Sequence, residues 1–171
     1  MQDVQQDPVH QDLGRPDILR RSLHALMRFY WRLARPLTMG VRAAVFDEQG
    51  AVLLVRHSYM RGWYLPGGGV ERGETTLQSV TRELDEEAGI LLRALPRLFG
   101  LYANFREFKS DHVALYVVSP GTYEREERRS LEIAEYGFFP LDALPEGTSG
   151  ATRARLEEIS KGLTPPAMWA P

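Results

Sequence analysis

The chain carries the stretch GGVERGETTLQSVTRELDEEAGI at residues 68–90, in which a glycine turn runs into a helical segment with four acidic side chains in five positions. Glu83, Glu86 and Glu87 stand at i, i+3 and i+4, so a helix places their carboxylates on one face. A neighbouring face is expected to pack against a sheet through Leu77, Thr81, Leu84 and Ala88. The stretch therefore predicts a helix whose acidic face lies at the rim of a core.

This acidic face predicts a bound cation. Like charges at such spacing repel by a few tenths of a kcal/mol per pair, and the one positive charge of Arg82 cannot neutralise them all. Mg²⁺ takes oxygen ligands and is commonly held jointly by carboxylates and substrate phosphates. The glycines of LPGGG, residues 65–69, allow close approach to a ligand, and Thr75 or Thr76 can cap a helix whose N-terminus favours an anion. The residues indicate a metal and diphosphate site; a solvated acidic helix after an ordinary turn is the alternative.

The full spacing of the stretch resembles the Nudix box, G-x5-E-x7-R-E-U-x-E-E-x-G-U, in which U is aliphatic. Every specified position is occupied, by Gly68, Glu74, Arg82, Glu83, Leu84, Glu86, Glu87, Gly89 and Ile90. Nine restricted positions within 23 residues are far more specific than a lone glycine motif. The resemblance implies an α+β fold of the Nudix type, an α/β/α sandwich with a mixed β-sheet in which the box forms a loop-helix-loop.

The resemblance also implies a Mg²⁺-dependent hydrolase, with Mn²⁺ as a possible cofactor. Such an enzyme splits a nucleoside diphosphate linked to another moiety, or a (d)NTP, by means of a metal-activated water. The metal ligands that the resemblance implies are the carbonyl of Gly67 and the carboxylates of Glu83, Glu86 and Glu87. Arg82 and Glu74 are expected to orient these carboxylates. A non-catalytic, nucleotide-sensing regulator on the same scaffold is the alternative function.

The general base has two possible sources in the family. It comes either from the box, where Glu83 is the candidate, or from an acid in a later loop. In this chain the later acids are Glu132 and Glu135. A carboxylate there could instead be a fourth metal ligand, and a surface acid without a role is equally expected.

Substrate contacts are expected on both sides of the loop that leads into the box. Arg56 and Arg61 are close enough in sequence to contact phosphate oxygens, for which the arginine fork is well suited, although exposed charges without a ligand are equally expected. Gly68 is expected to lie against the diphosphate. Beyond the box, the positions that distinguish substrate classes in the family carry Arg106 and Glu107, so the sequence selects no substrate.

Length, charge and composition limit the function classes. A chain of 171 residues suffices for one domain of ordinary size, and its formal charge of -2 lacks the basic excess of a non-specific nucleic-acid binder. There is no cysteine, which excludes disulfides, thiolate metal sites and cysteine nucleophiles. No apolar run is long enough to span a membrane, and no signal peptide is recognisable. We therefore expect a cytoplasmic monomer or homodimer that acts on a small nucleotide derivative and forms no stable complex with nucleic acid.

The N-terminal region differs in composition from the rest. Residues 1–15 are polar and lack hydrophobic periodicity, which predicts a flexible tail. In residues 16–36 apolar side chains recur at helical spacing with arginines opposite, which predicts an amphipathic basic helix. Its apolar face is expected to pack on the domain or a second subunit; residues 18–35 could instead make a peripheral membrane contact. Residues 37–163 are expected to form the Nudix hydrolase domain and residues 164–171 a C-terminal tail.

The remaining elements follow from apolar runs and turn residues. Strands are predicted over residues 37–46, 51–56, 97–105, 112–118 and 136–139. The first two strands are expected to pair as a hairpin around the turn at 47–50. A charged loop is expected over 122–130, and a closing helix over 151–161.

Overall fold

The computed structural model of the chain describes residues 37–106, 110–128 and 130–169. The predicted tail at 1–15 and the predicted amphipathic helix at 16–36 lie outside these residues. Within them the chain forms, in order, β1 (Thr38–Val45), β2 (Val52–His57), α1 (Thr76–Ala88), β3 (Ile90–Leu92), β4 (Arg97–Ala103), β5 (Asp111–Val118), β6 (Tyr123–Arg125), β7 (Ile133–Phe139) and α2 (Gly150–Lys161). None of the helices in this described part is long and apolar enough to cross a membrane.

The strands form a mixed arrangement, as predicted. The central ladder has the order β1-β5-β4, in which β5 is parallel to β1 and antiparallel to β4. Two further antiparallel ladders join β2 to β7 and β3 to β6. The α+β class and the mixed sheet are thereby confirmed.

The predicted hairpin between the first two strands is wrong in its pairing. The turn at 47–50 does form, and the Asp47 carboxylate accepts hydrogen bonds from the backbone N–H groups of Gln49 and Ala51. Beyond the single bridge between Phe46 and Val52, however, β1 and β2 join different ladders. The run from Val52 to Val55 is fully buried, and such a continuous apolar run belongs inside a domain rather than in a two-stranded hairpin with a wet face.

The prediction of a charged loop over 122–130 is also wrong at its start. Residues Tyr123–Arg125 form β6, which pairs with β3 directly after α1. The ladder continues where the Glu126 N–H donates to the Gly89 carbonyl at 2.8 Å. Strands of three residues are too short to show the alternation by which a strand is recognised in a sequence.

Apolar side chains on opposite faces of the strands pack against different helices. Leu53 of β2 lies in one core with Leu84 of α1, whereas its neighbour Leu54 lies in a second core with Leu156 of α2. The same alternation in β1 and β5 follows from the two-residue period of a strand. The strands therefore lie between α1 and α2, which is the sandwich that the sequence predicts.

After α2 the C-terminal segment, residues 163–169, returns along β4. The Ala103 N–H donates to the Ala167 carbonyl at 2.8 Å, and the Trp169 N–H donates to the Ala103 carbonyl at 2.9 Å. Gly100 makes room for this segment, since a Cβ there would lie 2.8 Å from the Cβ of Pro165. The described part of the predicted C-terminal tail thus extends the edge of the sheet.

Candidate active site

The box helix α1 is fixed at both ends by side chains and glycine. The Thr75 hydroxyl accepts from the Gln78 N–H at 3.2 Å, and the Gln78 side chain accepts from the Thr75 N–H at 2.9 Å, so the two form a capping box. Gly89 ends the helix with a φ of 62°. A Cβ at Gly89 would lie 1.9 Å from the Glu126 carbonyl, which explains why this position requires glycine.

The predicted packing face of α1 is correct in part. Leu84 and Ala88 are buried, and Leu77 is half-buried against the same core. Thr81, however, is exposed, and its hydroxyl donates to the Leu77 carbonyl within the helix. The buried stripe instead includes Glu87, so an acid stands at a position where an apolar side chain would be expected.

Two adjacent glycines bring the preceding loop against β1 and α1. Gly67 has a φ of +135°, and a Cβ there would lie 2.2 Å from the Val41 carbonyl. At Gly68 a Cβ would lie 2.2 Å from a carboxylate oxygen of Glu83. The Gly67 N–H donates to Glu87 Oε2 at 2.7 Å. Gly67 requires glycine because of its positive φ and the close backbone of β1, whereas a side chain at Gly68 would displace the carboxylate of Glu83.

Arg82 connects three of the acids. Its Nε donates to Glu74 Oε1 at 3.0 Å, and its Nη1 donates to Glu83 Oε1 at 2.8 Å and to Glu86 Oε2 at 3.2 Å. The guanidinium therefore lies between the carboxylates of Glu83 and Glu86. Its hydrogen bond to Glu74 holds the pKa of that carboxyl below its usual range.

Glu83 and Glu87 carry their charge in an unfavourable environment. Burial raises the pKa of Glu83, although the hydrogen bond from Arg82 opposes it. Burial raises the pKa of Glu87 to about 7, and the Gly67 N–H offsets this only in part. His57 Nε2 lies 3.8 Å from Glu87 Oε1, but burial and the charge of Arg42 lower the pKa of His57, which disfavours a compensating positive charge.

The donor set of the box fits a hard divalent cation. Its candidate ligands Glu83, Glu86 and Glu87 offer only oxygen atoms, which Mg²⁺ and Mn²⁺ prefer. A cation would also stabilise the ionised form of buried Glu87, which has no guanidinium partner within the described residues. Within residues 37–106, 110–128 and 130–169, no three acidic or histidine side chains converge on one point. In the box, Arg82 lies between Glu83 and Glu86, and Glu87 accepts a hydrogen bond from Gly67 instead.

The later acids occupy different surroundings. Glu135 forms an exposed ion pair with Arg56 at 2.7 Å, and Arg56 also lies over the Trp63 ring at 5.8 Å. Glu132, in contrast, lies beside the end of β2, where its carbonyl accepts from the Ser58 N–H at 2.7 Å, and its charge adds a small part to the rise that burial causes in the pKa of Glu87. Of the two candidates, Glu132 therefore lies on the side of the box acids.

The predicted substrate residue Arg61 contributes a backbone contact. Its carbonyl accepts from the Tyr64 hydroxyl at 2.7 Å, and the residue is exposed. Among the described residues its side chain makes no hydrogen bond to the box. Gly68, in contrast, lies directly against the carboxylate of Glu83.

Arg42 was missed by the sequence reasoning. It lies in β1, and its charge partly offsets the rise that burial causes in the pKa of Glu83 and Glu87 and adds to the fall that burial causes in the pKa of His57. Its Nη1 atom is buried and has no hydrogen-bond partner among the described residues. The only signal for it in the sequence is a charged residue inside the otherwise apolar strand TMGVRAAV.

The chain is similar to known proteins over more than half of its length. A family model described as NUDIX domain matches residues 36–159. The protein MutT4 of Mycobacterium tuberculosis (strain CDC 1551 / Oshkosh) is 35% identical over 125 residues, which are 68% of this chain and 49% of that protein. An ADP-ribose pyrophosphatase of Methanocaldococcus jannaschii is 30% identical over 105 residues, which are 60% of this chain and 62% of that protein. The chain thus spans between about half and 62% of the length of these two relatives.

A solved structure gives the same match in three dimensions. The crystal structure of MutT protein from Methanosarcina mazei Go1 superposes with a TM-score of 0.60 at 28% identity. The match covers 76% of this chain and 97% of that one. The match therefore includes almost the whole length of the Methanosarcina mazei protein.

Proposed function

The chain belongs to the NUDIX family, and we propose that it hydrolyses the phosphoanhydride bond of a nucleoside diphosphate linked to another moiety, or of a (d)NTP, with the help of a divalent metal. The observation that carries this proposal is the burial of Glu87 beside the glycine loop of the box. Glu87 is 6% exposed, and this burial raises its pKa to about 7. Strongly shifted carboxylates cluster at functional sites, because a stable fold alone does not require an uncompensated buried charge. The 30% identity to an ADP-ribose pyrophosphatase supports the same reaction class.

Glu83, Glu86 and Glu87 would hold Mg²⁺ or Mn²⁺, with the Gly67 carbonyl as a further oxygen ligand. When bound, the ion neutralises charge on the diphosphate and lowers the pKa of a bound water. Arg82 holds the carboxylates of Glu83 and Glu86 in place. The Gly67 N–H orients the carboxylate of Glu87.

Two carboxylates are the candidates to take a proton from the attacking water. Glu83 lies against Gly68, where the diphosphate would bind. Glu132 is the later-loop candidate, because its charge reaches Glu87 whereas Glu135 is engaged by Arg56. A base would be identified by Glu132→Gln lowering kcat while the metal concentration needed for half-maximal rate stays constant.

The experiment that tests the function is a substrate panel with a matched pair of variants. The full chain is incubated with nucleoside diphosphate derivatives and (d)NTPs, with Mg²⁺ or Mn²⁺, and the released fragments are identified. We expect metal-dependent release of a nucleotide, reduced by at least about 100-fold in Glu86→Gln.

Asp85→Asn is the control for this panel. Asp85 lies on the same helix among the same acids, but its carboxylate accepts from Arg128 at 3.0 Å. It does not face the box loop, which is the glycine loop at residues 66–69. Its activity is therefore expected to stay close to that of the unmodified chain. Release that needs no metal, or an equal loss in Asp85→Asn, would contradict the proposal.

A further inference from the structure

Two cavities of about 320 and 310 Å³ adjoin the box loop and share three lining residues, Arg42, Asn104 and Trp169. The first cavity also touches Gly68 and Gly69 of the box loop. The second extends towards the start of α2. The three shared residues thus stand between the loop that would hold a diphosphate and a space large enough for a ring.

Arg42 is positioned by the hydrogen bonds that join β1 to the box loop. The neighbouring Val41 N–H donates to the Gly68 carbonyl and the Ala43 N–H donates to the Pro66 carbonyl, both at 2.9 Å. Arg42 therefore lies between two backbone contacts to that loop. Its guanidinium is permanently charged, and a buried donor without an acceptor is costly.

The buried Nη1 of Arg42 makes no hydrogen bond within the described residues. Glu83 and Glu87 lie near enough for the charge of Arg42 to act on them, yet neither accepts from it. Nη1 itself is closed to solvent, but Arg42 lines both cavities, and the guanidinium nitrogens that remain open to them are suited to a phosphate oxygen, for which arginine has the matching geometry. An arginine that only balanced the box acids would be expected to bond to one of them.

Trp169 also lines both cavities, and both its backbone and its ring make contacts with neighbouring elements. Its backbone N–H pairs with Ala103, and its carbonyl accepts from the buried guanidinium of Arg155. The indole packs edge-on against Tyr102 with the ring centroids 5.4 Å apart. Because the side chain is only half-buried, part of the indole surface remains open to the cavities.

Asn104 lies between these two residues and is fixed by Asp111. Its side-chain N–H donates to Asp111 Oδ2 at 2.8 Å, and its backbone N–H donates to the Asp111 carbonyl at 2.8 Å. With the amide nitrogen engaged, the side-chain oxygen of Asn104 is left to accept from a ligand. A cation, an acceptor and an aromatic ring therefore meet at one place.

We propose that Arg42, Asn104 and Trp169 form the subsite for the nucleotide half of the substrate, with Arg42 on a phosphate and the Trp169 indole against the face of the base. This proposal rests on the proposed function, since it places the ligand beside the box acids. It assigns the substrate to nucleotides with an aromatic base rather than to diphosphates in general. The C-terminal segment, which lies beyond the family match at 36–159, supplies this selectivity.

Calorimetric titration of the full chain with two uncleavable probes tests the subsite. The probes are α,β-methylene-ADP and methylenediphosphonate, each in the presence of Mg²⁺; the second lacks a nucleoside. Arg42→Met is expected to weaken both probes by about 10-fold, and Arg42→Lys to restore part of the loss. Trp169→Leu is expected to weaken α,β-methylene-ADP by about 10-fold and to leave methylenediphosphonate within two-fold.

Two further variants serve as controls for the titration. Trp169→Phe keeps an aromatic face, so it should retain most of the affinity for α,β-methylene-ADP. Arg97→Met removes an exposed arginine of β4 that lies over Phe99 at 5.4 Å, and it should change neither affinity. Thermal unfolding of each variant establishes that it is folded at the titration temperature.

Several results would overturn the subsite. Binding of neither probe by the unmodified chain contradicts it, and so do unchanged affinities for both probes in Arg42→Met. Weakening of both probes by the same factor in Trp169→Leu also contradicts the subsite. Failure of the proposed function gives a different pattern. The chain would then bind α,β-methylene-ADP in a manner that depends on Arg42 and Trp169, and would release no fragment from any member of the substrate panel.

Discussion

The chain buries one glutamate on each helix, and their surroundings differ. Glu158 on α2 is 9% exposed; it forms an ion pair with buried Arg155 and accepts from the Tyr102 hydroxyl at 3.1 Å. Glu87 on α1 is 6% exposed, and it accepts from a backbone N–H while His57 lies at 3.8 Å. The carboxylate of Glu158 is thus balanced by a guanidinium and a hydroxyl, whereas that of Glu87 is stabilised by one backbone hydrogen bond.

This difference separates a structural charge from a functional one. Arg155 joins Glu158 to the carbonyls of Met168 and Trp169, so that pair secures the C-terminal segment to α2. Glu87 joins α1 to the Gly67 N–H, but it has no guanidinium partner within the described residues, and burial opposes its ionisation. A carboxylate retained under such a penalty is a candidate for binding a cation that the fold itself does not supply.

The largest expected effect is on activity. Glu87→Gln should lower kcat/KM by about 1000-fold, because the amide cannot provide the anionic oxygen that a divalent ion requires. Glu158→Gln should leave kcat/KM of the folded fraction within a few-fold. Steady-state hydrolysis of the best substrate at saturating Mg²⁺ measures both. Equal losses in the two variants would break the distinction between the glutamates.

The next effect is on stability and falls on the other glutamate. Arg155→Met leaves the Glu158 carboxylate buried without its counter-charge and frees two carbonyls of the C-terminal segment. Breaking a buried ion pair from one side costs about 4 kcal/mol, so the urea midpoint should fall steeply. The double variant Arg155→Met/Glu158→Gln should recover part of that loss. A double variant as unstable as Arg155→Met would show that the ion pair does not hold this region together.

A third effect concerns pH in the absence of metal. The pKa of Glu87 is raised to about 7 in the folded protein, so the folded state disfavours the ionised carboxylate. This penalty on folding is absent below the pKa of Glu87 in the unfolded chain and fully present above about 7. The free energy of unfolding therefore falls as the pH rises between these two values. From the size of the shift, Glu87→Gln should remove a penalty of about 3 kcal/mol at pH 8.

Urea unfolding in EDTA at pH 4.5 and pH 8 checks the third effect. The unmodified chain should lose more stability between the two pH values than Glu87→Gln does. Glu158→Gln serves as the comparison, because the buried carboxylate that it removes is paired with Arg155. The same pH dependence in the unmodified chain and in Glu87→Gln would show that Glu87 carries no such penalty.

The sequence predicts the box helix and limits its capping residue to Thr75 or Thr76, because both depend on local spacing, and the resemblance to the Nudix box implies the layered fold. The buried surroundings of Glu87 do not follow from it, since the chain must first bring Gly67 and His57 against α1. Arg42 was likewise missed, because its meaning depends on the box loop that pairs beside it.

Long-range pairing accounts for the other differences between sequence and structure. Arg56 and Glu135 are 79 residues apart, and their contact becomes visible only when β2 and β7 are paired. Trp169 reaches the cavities because the C-terminal segment pairs with β4 at Ala103. No periodicity within either segment indicates such a neighbour.

The smallest effect is expected at a third glutamate, which is exposed. Glu135 pairs with Arg56 at 2.7 Å, with side-chain exposures of 54% and 44%. Because water screens this pair, Glu135→Gln should change the free energy of unfolding by about 0.5 kcal/mol, and less at 0.5 M salt. It should also leave kcat within two-fold, since Glu135 is held by Arg56 while Glu132 is the acid whose charge reaches Glu87. A loss of kcat in Glu135→Gln as large as that in Glu87→Gln would mean that burial does not distinguish the carboxylates needed for activity, because an ion-paired surface carboxylate would then matter equally.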